Sequence, residues 1–135
     1  MKYKIDAIEG IGPVFREKLM GGGIRSTEDF LISCCDKVGR KNLSEKLGIG
    51  DSQLLKWANM ADLMRINGIG KQFAELLEAS GVDTVKELRN RKAGNLAAKM
   101  KEVNTQKKLC RVSPSASKIQ GWIDQAHGMQ HLITY

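Results

Sequence analysis

The sequence has few of the features that reveal a function directly. It contains no apolar run close to the roughly 20 residues that span a bilayer, and its first residues lack the apolar stretch of a signal peptide. We therefore expect a cytoplasmic protein without a membrane partner. Only two Trp and two Tyr are present, which argues against a surface that stacks the bases of single-stranded nucleic acid.

Groups suited to catalysis or metal binding are also scarce. The three cysteines, Cys34, Cys35 and Cys110, are odd in number and lack Cys-x-x-Cys spacing, which favours reduced, mostly buried thiols over a metal site or a redox centre. His127 and His131 are the only histidines. A metal-dependent nuclease needs clustered carboxylates, whereas the acidic residues are scattered along the chain. The sequence therefore predicts no enzyme activity, no metal and no cofactor.

Positive charge is concentrated in one region of the chain. The 135 residues carry a net charge of +7, and residues 82–111 hold nine basic and three acidic side chains, which is +6 of that total. Such a stretch is typical of a surface that binds a polyanion. A solvated helical face, with lysines that keep the protein soluble, would have the same composition.

The segment 63–82 contains the strongest local signal, a Gly-Ile-Gly turn between two predicted helices. An apolar helical run ends at Ile66, the turn is residues 68–70, and an amphipathic helix begins at Lys71. Glycines allow backbone conformations that other residues avoid, and they let an external group approach the main chain. The unpaired amides of the second helix, its positive dipole end and Lys71 all favour an anion, and phosphate is the obvious one.

The same pattern occurs 58 residues earlier. Ile8, Gly10, Ile11, Gly12 and Phe15 match Ile66, Gly68, Ile69, Gly70 and Phe73 in order. We call residues 8–12 the first hairpin and residues 66–70 the second hairpin. A structural interpretation competes with the functional one, because both hairpins could be tight turns that only join helices. It applies more strongly to the first hairpin, where Pro13 removes one donor amide and Glu9 adds a negative charge.

A third Gly-Ile-Gly segment, residues 48–50, precedes Asp51. An aspartate that caps a helix would occupy the free amides itself and would repel phosphate. We therefore interpret this segment as a helix-to-helix turn, with a degenerate third hairpin as the alternative.

Apolar spacings of three and four, together with the usual cap residues, predict an all-α fold of about eight short helices. The helix that carries Trp57 has a counterpart 65 residues later that carries Trp122, so seven residues are inserted between the copies, within the basic stretch 91–108. We predict a single compact domain, residues 1–135, made of two pseudo-repeats. The repeats are approximately residues 5–62 and 63–128, and a tail follows at 129–135.

The first hairpin lacks a leading helix, because residues 1–9 are too short to form one. The Trp122 helix stands where a helix would precede a third hairpin. We therefore expect residues 119–126 to pack back near residues 5–24, so that the chain closes on itself.

The repeated pattern, an apolar residue, Gly-apolar-Gly and an amphipathic helix, resembles the helix-hairpin-helix family of DNA-binding motifs. The helix of that family usually carries a small residue, which Ala74 matches and Arg16 does not. The whole chain, from its Lys-Ile-Asp-Ala-Ile-Glu-Gly-Ile-Gly-Pro opening to its Ile-Thr-Tyr end, is similar to a bacterial family of uncharacterised proteins called DUF4332. The resemblance implies tandem helix-hairpin-helix motifs that grip the phosphates of both DNA strands across a minor groove without reading bases.

The resemblance also implies which groups contact the DNA. The main chain contributes at Gly10, Ile11, Gly12, Gly68, Ile69 and Gly70, and the side chains are Lys71, Gln72 and Arg16. From the basic stretch we add Arg91, Lys92 and Lys99, which we expect near the hairpins. The predicted function is sequence-independent binding of duplex DNA without catalysis. The alternative is a protein–protein interaction adaptor with an acidic partner, or an RNA-binding module, on the same helical scaffold.

Overall fold

The computed structural model describes residues 3–135, so Met1 and Lys2, which belong to the predicted domain, lie outside the described residues. The described residues form eight α-helices and one short 3-10 helix, Ile5–Ala7, and they contain no β-strand. The predicted all-α fold of about eight short helices is therefore confirmed. In chain order the α-helices are α1 (Pro13–Gly21), α2 (Thr27–Cys34), α3 (Lys37–Leu47), α4 (Asp51–Leu63), α5 (Lys71–Ala79), α6 (Val85–Arg89), α7 (Ala93–Lys107) and α8 (Ala116–His127).

Several helix ends lie where the sequence places capping residues. At the start of α2 the Ser26 hydroxyl accepts a hydrogen bond from the Asp29 amide at 3.0 Å. At the start of α6 the Thr84 hydroxyl accepts one from the Glu87 amide at 3.2 Å. Pro13 is the first residue of α1, where its missing N–H costs nothing. These local interactions explain why the order of the helices could be predicted.

The third Gly-Ile-Gly segment is a helix-to-helix turn, as predicted. Gly48 ends α3 in the left-handed conformation, with φ 69°, and its amide donates to the Ser44 carbonyl at 2.8 Å. The expectation that Asp51 caps the next helix is wrong, because Asp51 is the first helical residue of α4. The N-cap is Gly50, which supplies the extended conformation that this position needs, and no side chain among the described residues caps it.

Each half of the fold has a tryptophan packed against the phenylalanine that follows its own hairpin. The ring centroids of Phe15 in α1 and Trp57 in α4 are 5.1 Å apart. Those of Phe73 in α5 and Trp122 in α8 are 5.2 Å apart. The helices α4 and α8 therefore occupy equivalent places in the two halves, in agreement with the 65-residue spacing of the tryptophans.

The expectation that residues 119–126 pack back near residues 5–24 is wrong. Helix α8 packs on α6 and α7. The Gln125 side chain also hydrogen-bonds both main-chain groups of Asn67, at 2.9 Å to the amide and 3.1 Å to the carbonyl. Each tryptophan helix covers the hairpin of its own half, and the first hairpin is already covered by α4, so α8 docks on the second.

A segment that includes the short 3-10 helix takes the place of the missing leading helix in the first half. The Ile5 amide donates to the Arg25 carbonyl at 3.1 Å, and the Thr27 amide donates to the Tyr3 carbonyl at 3.0 Å. Ile5 and Ile8 are buried in the core. This segment therefore fixes the entry of the chain into the first hairpin.

The second half is longer than the first mainly in α7 and in the loop that follows it. Helix α7 has 15 residues, whereas its counterpart α3 has 11. Residues 108–115 join α7 to α8, whereas residues 48–50 join α3 to α4. The extra residues are therefore divided between helix and loop, and only part of them lies within the predicted stretch 91–108.

The tail after α8 connects the second half to the first. Ile133 is buried, and the Thr134 amide donates to the Cys35 carbonyl at 2.7 Å. Arg40 in α3 is also buried, and its guanidinium donates to the carbonyls of Thr134 at 2.6 Å and Cys34 at 2.9 Å. The tail is therefore part of the packed structure.

Candidate nucleic-acid interface

The two hairpins have nearly the same backbone conformation. Gly10 and Gly68 have φ angles of 95° and 98°, a region that residues with a side chain rarely adopt. Gly12 and Gly70 are extended, with φ angles of −89° and −100°. The sequence repeat is therefore also a repeat of backbone geometry.

The isoleucine between the two glycines anchors each hairpin in the core. Ile11 and Ile69 are buried. Their amides donate to the carbonyls of Ile8 and Ile66, at 3.2 Å and 3.1 Å. Each hairpin is therefore a hydrogen-bonded turn whose isoleucine is buried in the core and whose glycines face the surface.

Each hairpin opens a helix whose first amides have no partner within the helix. Gly12 and Gly70 are the N-caps of α1 and α5, and no side chain of the described residues caps either start. The first helical hydrogen bonds run from the amides of Arg16 and Ala74 to these glycines, each at 2.9 Å. The amides before them can donate to an external anion, and Pro13 leaves the first hairpin with one donor fewer.

The first glycine of each hairpin lies directly on a tryptophan. A Cβ on Gly10 would stand 3.0 Å from Nε1 of Trp57, and one on Gly68 would stand 3.1 Å from Nε1 of Trp122. Trp57 Nε1 is buried, and it has no acceptor among the described residues. These two glycines are therefore required by packing and conformation, whether or not a ligand binds.

The second glycine of each hairpin has room for a side chain. No atom of the described residues lies within 4 Å of a Cβ added to Gly12, and only the Tyr3 hydroxyl, at 3.8 Å, lies that close to one added to Gly70. Their φ angles are open to any residue. Neither packing nor conformation requires glycine here, and a position without a side chain lets an external group approach the main chain closely.

Glu9 of the first hairpin contacts the first residue of α5, and Tyr3, which precedes that hairpin, contacts the second hairpin. The Glu9 carboxylate is 3.4 Å from the ammonium group of Lys71, and the Tyr3 hydroxyl donates to the Ile69 carbonyl at 3.3 Å. The two hairpins are therefore neighbours. The same contacts give Lys71, a predicted phosphate ligand, an anionic partner within the protein.

The other two predicted side chains of the hairpins are also exposed. The Arg16 guanidinium lies 3.6 Å from the Asp6 carboxylate in a pair that is about 40% exposed on both sides, so water screens it strongly. Gln72 is exposed in the first turn of α5, and the Cys110 thiol donates to its carbonyl with the sulfur at 3.4 Å. Both side chains can turn towards a ligand without breaking a buried contact.

Arg91 of the basic stretch lies away from the second hairpin, contrary to the prediction. Arg91 donates to the Gly81 carbonyl at 3.0 Å, just beyond the C-terminal end of α5. The second hairpin is at the other end of this nine-residue helix, about 13 Å away along its axis. Lys92 is the N-cap of α7, and Lys99 is exposed farther along it. The structure therefore does not bring Arg91 to the second hairpin, and the role of these three residues as DNA contacts stays a prediction.

Sequence reasoning missed one basic residue near the second hairpin. The Lys118 ammonium lies 5.1 Å from the centroid of the Phe73 ring, which is in the first turn of α5. Lys118 precedes Trp122 by one helical turn, so the packing of Trp122 beneath Gly68 brings it here. The 65-residue spacing of the two tryptophans could have predicted that Lys118 lies near the second hairpin. The expectation that α8 packs on the first half instead led away from this position.

A group of carboxylates flanks the Glu9–Lys71 contact. Glu75 and Glu78 of α5 line a cleft of about 240 Å³ together with Glu9. Burial raises the pKa of the Glu75 carboxyl above its usual value, and the neighbouring carboxylates of Glu9 and Glu78 raise that pKa further. Both acidic and basic groups therefore lie beside the second hairpin, and the acidic ones are close to Lys71.

Within residues 3–135, no group of three or more His, Cys, Asp or Glu side chains is arranged to hold a metal ion. No helix in that part of the chain combines the length and the apolar character needed to cross a membrane.

A family model matches most of the chain. A family model described as a domain of unknown function, DUF4332, matches residues 9–129. The matched range includes the second hairpin and all eight α-helices. No curated protein and no solved structure matches the chain.

Proposed function

The chain belongs to the DUF4332 family, and from the geometry of its hairpins we propose that it is a tandem helix-hairpin-helix protein that binds duplex DNA. Binding uses phosphate contacts, does not read bases and is not coupled to a reaction. The supporting observation is that two hairpins with the same backbone conformation are neighbours, each at the start of a helix with unpaired amides.

Each hairpin binds one phosphate group in this proposal. The amides at the helix start donate to phosphate oxygens, and the positive end of the helix dipole favours their charge. At the second hairpin these donors lie within residues 68–72, and Lys71 and Lys118 add positive charge. At the first hairpin they lie within residues 10–12 and the next turn, with Arg16 as the cation.

The basic stretch has a secondary role in this proposal. Arg91, Lys92 and Lys99 lie away from the second hairpin or along α7, so they attract DNA over a distance or contact a duplex that extends along that helix. Their replacement by neutral residues is expected to weaken binding less than a change within a hairpin.

Binding of this kind depends steeply on salt. Each phosphate that a protein neutralises releases counterions, so affinity falls as a power of the salt concentration, with an exponent of about 0.9 for each contact. Non-specific complexes have dissociation constants of roughly 1–100 μM at physiological salt. We expect binding in this range, with little difference between duplexes of different sequence.

A groove in the first half favours a second candidate function, a protein-interaction adaptor. Helices α2 and α4 and the tail line a cavity of about 530 Å³, with walls that include Leu31, Met64 and Leu132. Ile32 lies at this cavity and is 73% exposed. Exposed apolar surface of this kind is typical of sites that bind another molecule. In this alternative the hairpins are rigid corners, and the basic stretch meets an acidic protein or an RNA.

The two functions are separated by aspartates placed at the helix N-caps. In Gly12→Asp and Gly70→Asp the new carboxylate accepts hydrogen bonds from the free amides, which stabilises the helix start by about a few tenths of a kcal/mol. The same carboxylate occupies the phosphate site. We therefore expect unchanged or slightly higher thermal stability, and at least tenfold weaker binding of a fluorescent duplex measured by anisotropy at low salt.

Gly50→Asp is the matched control. Gly50 is also an N-cap without a side-chain cap in the described residues, and a Cβ there meets no described atom within 4 Å. This variant has the same charge change and the same cap chemistry, but it lies in the helix-to-helix turn. We expect it to bind duplex nearly as well as the unchanged protein. Equal binding by all three variants, or no salt-dependent binding by the unchanged protein, would refute the proposed function.

A further inference from the structure

We propose that Glu9 is an internal competitor of DNA phosphate for Lys71, and that uptake of a proton by the carboxylates around Glu9 strengthens duplex binding. This inference concerns the regulation of the second hairpin, and it rests on the proposed function.

The first observation is the position of the Glu9 carboxylate. Its oxygen lies 3.4 Å from the ammonium nitrogen of Lys71, the group that would contact a phosphate under the proposed function. Lys71 is the one cation within residues 66–72, so the pair neutralises the only full positive charge of that segment. Both side chains are about half exposed, at 47% and 49%. Such a pair is weak, and a phosphate that also bonds to the main-chain amides can displace Glu9.

The second observation is the composition of the surrounding cleft. Helix α5 contributes Glu75 and Glu78, helix α4 contributes Lys56, and the end of α7 contributes Lys107. Lys56 is 3.8 Å from the Glu78 carboxylate. The loop after α7 contributes the Cys110 thiol. Burial raises the pKa of this thiol, and the charge of Glu75 raises it further. Together with Glu9 and Lys71, three carboxylates therefore face three ammonium groups, and the local charge is close to zero when all are ionised.

The proton is taken up by Glu75 in this proposal. Burial and the charges of Glu9 and Glu78 raise the pKa of Glu75, the charge of Lys71 lowers it by less, and a hydrogen bond with the Glu9 side chain also raises it. Protonated Glu75 donates that hydrogen bond to Glu9. The local charge then becomes +1, and the Glu9 carboxylate is shared between the Glu75 hydroxyl and Lys71. Because both changes favour an incoming anion, duplex affinity rises as the pH falls through the pKa of Glu75.

The direct test is Glu9→Gln at neutral pH and low salt. This variant releases Lys71 and removes one negative charge beside the hairpin, so we expect three- to tenfold tighter binding of a fluorescent duplex, with the gain shrinking as salt is added. Glu45→Gln is the matched control. It makes the same change of charge on α3, which packs on α2 and α4, and Glu45 is exposed there. We expect Glu45→Gln to change the affinity less than twofold.

The second test is the pH dependence at constant ionic strength. As the pH is lowered from neutral through the pKa of Glu75, the unchanged protein should gain more affinity than Glu75→Gln, because both proteins keep the same histidines and differ only in this carboxyl. Thermal melting checks that every variant is folded. If the duplex binds but Glu9→Gln and Glu45→Gln behave alike, or if Glu75→Gln keeps the full pH dependence, the inference is wrong and the proposed function stands. If neither the unchanged protein nor Glu9→Gln binds duplex at any pH, both are wrong.

Discussion

The indole of Trp57 lies directly beneath Gly10, with Nε1 3.0 Å from the point where a Cβ on that glycine would stand. Trp122 and Gly68 repeat this relationship at 3.1 Å. The φ angles of the two glycines, 95° and 98°, are also unfavourable for any residue with a side chain. Steric contact and backbone strain therefore act at the same positions.

We expect Gly10→Ala and Gly68→Ala to lower the free energy of unfolding by about 2–4 kcal/mol, because each adds backbone strain and displaces a buried indole. Urea denaturation measures this loss. Gly12→Ala is the control, since it has φ −89° and no described atom within 4 Å of an added Cβ. It should change stability by less than about 1 kcal/mol. A Gly12→Ala variant as unstable as Gly10→Ala would contradict this account of the first glycines.

Asp62 connects the end of α4 to the start of α6, because its carboxylate has two partners. One oxygen accepts from the Arg65 guanidinium at 2.7 Å, and the other accepts from the Val85 amide, at the start of α6, at 2.8 Å. Asp62 is only 1% exposed. We expect Asp62→Ala to cost about 3–5 kcal/mol of stability, since it leaves a cation and a buried amide unpaired. Thermal and urea unfolding measure the cost, and the exposed Asp51→Ala on the same helix should cost less than about 1 kcal/mol.

Arg40 connects α3 to the tail. Its buried guanidinium donates to the carbonyls of Cys34 and Thr134. Arg40→Met keeps much of the side-chain volume but removes both charge-assisted bonds, so we expect a loss of about 2–4 kcal/mol and faster proteolysis of residues 129–135. Limited proteolysis followed by mass spectrometry measures the second effect. Lys41→Met, on the exposed side of the same helix, is the control, and equal protease sensitivity of the two variants would rule out this role for Arg40.

The three thiols differ in their surroundings, and we expect them to differ in reactivity. Burial raises the pKa of Cys34 to about 12, and its side chain is fully buried. Burial also raises the pKa of Cys110, whereas Cys35 is partly exposed. Because the thiolate is the reactive form, Cys34 should react far more slowly than an ordinary thiol at any pH below its raised pKa. At pH 8 iodoacetamide should modify one thiol quickly, Cys35, and the other two only in denaturant. Rapid modification that persists in Cys35→Ser would refute this assignment.

Much of the fold could be predicted from the sequence because its signals are local. The caps at Ser26 and Thr84, the proline that begins α1, and the glycine pattern of the hairpins each depend on residues within one or two turns. The repeat added a second kind of information, since the equivalent places of Trp57 and Trp122 follow from their spacing. Local rules fail at Asp51: they predict that this acidic residue caps α4, whereas Gly50 holds the cap position.

The packing between distant segments could not be predicted. The sequence predicts a place for α8 by extending the repeat, whereas the bonds between Gln125 and Asn67 decide it. The contacts of Tyr3 and Glu9 with the second hairpin join residues more than 60 positions apart. Arg91 was placed near the hairpins from charge alone, but its bond to Gly81 holds it at the opposite end of α5. Charge composition indicates a partner class, but only tertiary contacts decide which charges meet a given loop.

Helix α4 belongs to both halves at once. Trp57 of this helix packs against Gly10 of the first hairpin, and the C-terminal end of the helix leads into the second hairpin. A break in the chain on either side of α4 would leave one hairpin without support. The two repeats therefore cannot be separated into two independently folded units. We expect them to unfold together in one all-or-none transition.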